Sequence, residues 1–218
     1  MLTVVLLLAV GCGARYDKAA TGESSSTLDP QKVTAESWLF DARLKRKGKP
    51  TSFRLEVFRT DSVIALGGRA YLGKGALKGR LTADSLEVYF PSSKEYVYES
   101  IVDLFSRAKC PAVSGGLDFL KLLVVLPDSS EIPADLSVIA DYARPKNPSF
   151  HISAPDCPWQ LHLVYDRQST GWRLSEFHFD DGGDVTLKGN RRRYKTAAQV
   201  PTDKFRLTLP EGAVRVEP

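Results

Sequence analysis

Between Trp38 and Phe90 apolar and polar residues alternate with a period of two, and this periodicity limits what the chain can fold into more than any other feature. Successive side chains of a strand point to opposite faces. Trp38, Phe40, Ala42 and Leu44, set against Leu39, Asp41, Arg43 and Lys45, therefore predict a strand with one buried side. Phe53, Leu55 and Val57 repeat the pattern after a turn at Gly48-Lys49-Pro50, and residues 63–66 follow a second turn at Asp61-Ser62. Gly67-Gly68 and Gly73-Lys74-Gly75 predict a loose glycine-rich connection. Residues 80–82, the turn Ala83-Asp84-Ser85, and Leu86, Val88 and Phe90 alternating with Glu87 and Tyr89 complete the stretch. Strands this close in sequence, joined by short turns, pair antiparallel as a meander.

The middle of the chain changes period. Tyr98, Ile101, Val102 and Phe105, then Leu117, Phe119, Leu120, Leu122 and Leu123, have helical spacing and predict two short helices over 96–108 and 116–125. Residues 127–148 hold four prolines and read as irregular, with a helical turn near 136–142. Strands resume over 150–153, 159–165, 172–179, 184–188 and 194–197, and Phe205, Leu207 and Leu209 close the set. A sheet, a helical interruption and a sheet again describe α+β architecture, with the helices covering one face of an antiparallel sheet.

The N-terminus speaks to location. Residues 2–10 are apolar, and Ala9-Val10-Gly11-Cys12 reads as a lipobox, so 1–11 are expected to be a signal peptide and Cys12 the lipidated N-terminus. Nine residues are too short to cross a hydrocarbon layer that needs about 20 in a helix. No Lys or Arg precedes the run, which leaves the translation start open. Residues 12–33 are small and polar and predict a flexible tether, leaving 34–218 as a single domain. A net charge of +4 suits contact with anionic head groups and falls short of a nucleic-acid signature. Export to an oxidising compartment would allow Cys110 and Cys157 to pair; two unpaired buried thiols are the alternative.

At Arg59-Thr60-Asp61-Ser62-Val63-Ile64, at Leu81-Thr82-Ala83-Asp84-Ser85-Leu86-Glu87-Val88-Tyr89 with Lys94-Glu95-Tyr96, and at 201–212, the chain resembles bacterial lipoproteins related to LolA and LolB, the periplasmic carrier and outer-membrane acceptor of lipoproteins. The resemblance implies a curved antiparallel sheet, an incomplete β-barrel wrapped around short helices, whose apolar concave cavity accepts acyl chains. It implies lipid or lipoprotein acyl chains as partners, with the membrane surface reached through the lipid anchor. Gly13 after the cysteine points to the periplasmic face of the outer membrane by the same resemblance. The candidate cavity lining is Trp38, Phe40, Phe53, Leu55, Val57, Leu86, Val88 and Phe90. The rival expectation is a non-catalytic structural or interaction lipoprotein with a filled core that docks on another envelope protein.

Chemistry is not expected. His151, His162 and His178 sit among strand residues, and Asp180-Asp181-Gly182-Gly183-Asp184 matches neither a calcium loop nor a zinc pattern and reads as a hairpin turn. Ser114-Gly115-Gly116 lacks the flanking glycine of a nucleophile elbow. No enzyme, no cofactor and no metal are expected. Two basic clusters, 43–49 and 191–195, are expected at strand ends or hairpins, as a solvated rim or a membrane contact.

Overall fold

The computed structural model describes residues 31–70, 73, 75–101, 103, 118–128, 132, 134–155 and 157–216. Among these, twelve strands form one large, open, curved sheet in the order β12-β6-β5-β4-β3-β2-β1-β11-β10-β9-β8-β7. The strands are β1 (Lys32–Arg46), β2 (Lys49–Arg59), β3 (Ile64–Ala70), β4 (Gly75–Leu81), β5 (Ser85–Phe90), β6 (Glu95–Ser100), β7 (Ser137–Asp141), β8 (Ser149–Ser153), β9 (Gln160–Gln168), β10 (Gly171–Asp180), β11 (Val185–Pro201) and β12 (Val214–Arg215). Every neighbour pair is antiparallel except β12 with β6. The first five strands are the expected meander, and β6 extends it by one strand. Lys47 and Gly48, both at positive φ (47° and 76°), make the tight β1–β2 turn, whose backbone twist matches that of the strands it joins.

Alternate residues put one face into a single core. Trp38, Phe40, Ala42 and Leu44 of β1 join Phe53, Leu55 and Val57 of β2, Leu86, Val88 and Phe90 of β5, and Phe150, Ile152, Leu163 and Tyr165 from the far strands. Helix is short among the described residues. The four-residue α1 (Phe119–Leu122) has Asp118 accepting from Leu120 N and Lys121 N at its start, and a 3-10 turn spans Thr202–Phe205. Leu120 and Leu122 enter the same core.

Several expectations are corrected. Residues 95–100 are strand β6, because Val97 and Glu99 face inward while Tyr98 is exposed, a period of two where a helix was expected. Ile101 and Asp103 are helical, so the helix expected over 96–108 begins only after that strand. Of the expected helix over 116–125 only α1 is helical among the described residues, and 104–117 lie outside them. The expected turn near 136–142 is edge strand β7. Gly67, Gly68 and Gly75 belong to strands rather than to a loose connection. At Gly68 a Cβ would stand 2.8 Å from Leu77 Cγ, so the glycine admits the neighbouring strand's side chain. The strands expected over 184–188 and 194–197 merge into one long β11 that begins at Val185 and carries Arg191, Arg192, Arg193 and Lys195 within the strand, not at its end. The segment with Phe205, Leu207 and Leu209 forms no strand; the last strand among the described residues is the short parallel β12. Strand β1 starts at Lys32, inside the segment read as tether.

Candidate functional site

The sheet splits between β10 and β11. These strands pair only from Glu176–Asp180 against Asn190–Thr186, while β11 beyond Asn190 stays with β1. A bulge between Leu174 and Glu176 sits at the fork. Polar side chains fill it: Arg191 donates to Leu174 O at 3.1 Å and pairs with Asp166. Arg173 donates through Nε to Glu36 Oε1 and to the Tyr194 hydroxyl, both at 2.8 Å. Tyr194 in turn donates to Glu36, and Arg59 reaches Glu36 Oε2 at 3.1 Å. One carboxylate thus balances two guanidiniums.

This cluster holds α1 and the residues after it. Four carbonyls at and beyond a helix end lack intrahelical partners and must find others. Leu120 O accepts from Arg59 Nε at 2.8 Å, Leu122 O from the Tyr165 hydroxyl at 2.7 Å, Leu123 O from Leu174 N at 3.0 Å, and Val124 O from Arg173 at 3.4 Å. The Leu174 amide is free to do so because its half of β10 has left β11. Burial pushes the Tyr165 hydroxyl far above its ordinary pKa, and burial with the Glu36 hydrogen bond raises that of Tyr194. Both hydroxyls stay protonated and keep donating.

The pinned segment forms one wall of a groove. Val125, Leu126, Pro127 and Asp128 face Val138 and Ala140 of β7, Tyr142 and Phe150 across a volume of about 550 Å3. Tyr142 stands edge-on to Phe150 at 5.9 Å, and Phe150 edge-on to Tyr165 at 5.7 Å, so the aromatic floor is continuous with the polar latch formed by the Tyr165 hydroxyl and the Glu36–Arg59–Arg173–Tyr194 cluster. Val125 and Tyr142 are 46% and 59% exposed, an apolar mouth open to solvent. A smaller hollow of about 190 Å3 lies at the opposite edge between Tyr96, Val97 and Tyr98 of β6 and Leu207, Leu209 and Arg215.

The sequence-derived candidates lie elsewhere. Trp38, Phe40, Phe53, Leu55, Val57, Leu86, Val88 and Phe90 all face the interior, are at most 9% exposed, and belong to one packed cluster. None of them lines either groove. Cys157 is disulfide-bonded; Cys110, like the lipidation candidate Cys12, lies outside the described residues. His151, His162 and His178 are on the outer face of β8, β9 and β10, and among the described residues no three His, Cys, Asp or Glu side chains gather at one point. The carboxylates of the 180–184 turn are engaged by its backbone: Asp180 accepts from Gly182 N, and Asp181 from Gly183 N and Val185 N, at 2.8–2.9 Å. Among the described residues no helix is long and apolar enough to cross a membrane. The groove and the polar latch had no sequence signal, since Glu36, Arg59, Arg173 and Tyr194 meet only through strand pairing.

No protein-family model matches the chain, and no curated protein matches it in sequence. Solved structures similar in arrangement include an uncharacterized conserved protein from Thermus thermophilus, at 11% identity and a TM-score of 0.43 over 84% of this chain and 90% of that one. Another is a "putative outer membrane lipoprotein-sorting protein domain" from Vibrio parahaemolyticus, at 9% identity and 0.37 over 74% and 84%. A third is a DUF1329 family protein from Desulfovibrio piger, at 8% identity and 0.35 over 82% and 91%.

Proposed function

We propose that this chain is a lipid-anchored envelope lipoprotein that binds an acyl chain, of a lipid or of an acylated protein, in the groove between residues 125–128 and β7–β8. The groove itself carries the reading. Its volume of about 550 Å3 falls within the range of about 300–1,000 Å3 usual for small-molecule sites, and seven of its eight lining residues are aliphatic or aromatic, although polar atoms make up the larger share of its exposed wall. Burying ten methylenes at about 0.8 kcal/mol each gives about 8 kcal/mol of gross driving force before the cost of ordering. That requires no catalysis, cofactor or metal. Cys12 carries the anchor in this reading, and the tether holds the domain at the periplasmic face of the outer membrane, within reach of acylated partners.

The test uses the Cys12→Ala chain, which cannot be lipidated, and an environment-sensitive fatty-acyl probe. Ala140→Trp fills the groove from the β7 side and is expected to weaken the probe at least tenfold, about 1.4 kcal/mol, with an unchanged melting temperature. No binding by the parent, or equal binding by both, refutes the groove as the site. The packed state of the eight inner-face candidates favours a second reading, a structural or interaction lipoprotein with a filled core, and a failed probe experiment leaves that one in place.

A further inference from the structure

All three histidines of the chain fall in one row across the sheet. His151 of β8 lies directly opposite His162 of β9, which lies directly opposite His178 of β10. The row continues to Ile139 at the β7 edge and, on the other side, to Lys188 and Arg43. Directly opposed residues share a face. The alternating neighbours Phe150, Ile152 and Leu163 are core, so the row faces outward.

The two histidine pairs differ in kind. Tyr165 N donates to Pro148 O at 3.0 Å, which makes the pair one step beyond Val164–Ser149 a hydrogen-bonded one. Pair types alternate along an antiparallel ladder, so Leu163–Phe150 is hydrogen-bonded and His162–His151 is not. Non-hydrogen-bonded pairs bring side chains closest, with Cα atoms about 4.5 Å apart against about 5.5 Å. The backbone groups of His162 turn to β10, so His162–His178 is the wider pair. At the other end Asp181 N donates to Val185 O at 3.1 Å, and the same alternation makes His178–Lys188 a close pair. A lysine ammonium beside His178 repels a cation. Around His151 and His162 the same face carries Ser149, Ser153, Gln160, Val164 and, farther along β9, Asp166, with Glu176 and Asp180 of β10 opposite Val164 and Gln160.

We propose that His151 and His162 chelate a borderline divalent transition-metal cation, Zn2+ being the type case, on the outer face of the sheet. Two imidazoles at this separation can each aim one nitrogen at a shared ion at about 2.0–2.1 Å, and neutral imidazole is a preferred ligand of such ions. Among the described residues no three His, Cys, Asp or Glu side chains converge on a point, so water completes the coordination shell. Both rings are half-buried, which leaves that water a path.

The test titrates Zn2+ into the tag-free full chain, its disulfide intact, in competition with a chromophoric chelator. His151→Gln and His162→Gln are each expected to weaken binding at least tenfold, and His178→Gln less than threefold. Zn2+ raises the melting temperature of the parent and of His178→Gln only. Failure of the parent to bind, equal binding by His151→Gln or His162→Gln, or a loss in His178→Gln as large as theirs, each overturns the assignment. Should His162→Gln fail to fold, the comparison of His151→Gln with His178→Gln decides.

Discussion

Replacing Glu36 by Gln removes the one negative charge between Arg59 and Arg173 while keeping the side chain's shape. The three side chains are 15%, 15% and 10% exposed, so little water can replace the lost carboxylate. Breaking a fully buried pair costs about 3–5 kcal/mol, and the residual solvent contact sets the expectation here at about 2–3 kcal/mol. For a domain of this size each kcal/mol lowers the melting temperature by about 2–4 °C, giving a drop of about 4–12 °C. Urea unfolding of Glu36→Gln, Arg173→Met and the double variant should show a coupling of at least about 1 kcal/mol, because removing Arg173 relieves the repulsion created by the first change. A loss under 1 °C, or additive effects, would show that the cluster fills the fork without holding it.

Two further outcomes follow from single contacts. At Gly189 an added Cβ would lie 2.2 Å from the Phe177 ring, which is itself held edge-on against Phe40 at 5.3 Å. Gly189→Ala should therefore cost about 1–3 kcal/mol in urea unfolding, and an unchanged midpoint would mean that the ring swings aside freely. Burial and the nearby Lys188 hold the His178 imidazole below its ordinary pKa, with His162 adding to them and Asp180 opposing. The unfolded chain then binds the proton more readily than the folded one, so stability rises with pH up to about 6.5, the unperturbed value. Melting temperatures of His178→Gln between about pH 5 and 7 should rise less steeply than the parent's; parallel curves would sink this.

Period-two alternation made the inner faces of β1, β2 and β5 legible, because those strands are buried on one side only and carry regular polar partners. It failed where the inner face is not apolar. In β6 the inward positions are Val97 and Glu99, and the exposed Tyr98 happens to lie at helical distance from Ile101. In β11 the run Arg191-Arg192-Arg193 looks like a rim, yet Arg191 reaches across the fork to Asp166 and Arg192 pairs with Asp41 of β1. Strand β7 follows a proline-rich stretch and is solvent-exposed along most of its length, so no periodicity marks it. The groove depends on which carbonyls after α1 find donors on β9 and β10, a long-range fact with no local signature.

Strand β1 occupies the middle of the finished sheet, yet one of its two neighbours is β11, so Lys32 waits for Pro201. Closing so long a loop carries an entropic cost that local hairpins avoid, and high contact order slows folding. The meander can therefore form early with its first strand still bare along one side, a template for illegitimate pairing between chains until the late strand arrives. Truncation before Val185 exposes the heart of the structure, whereas loss of β12 merely trims its margin.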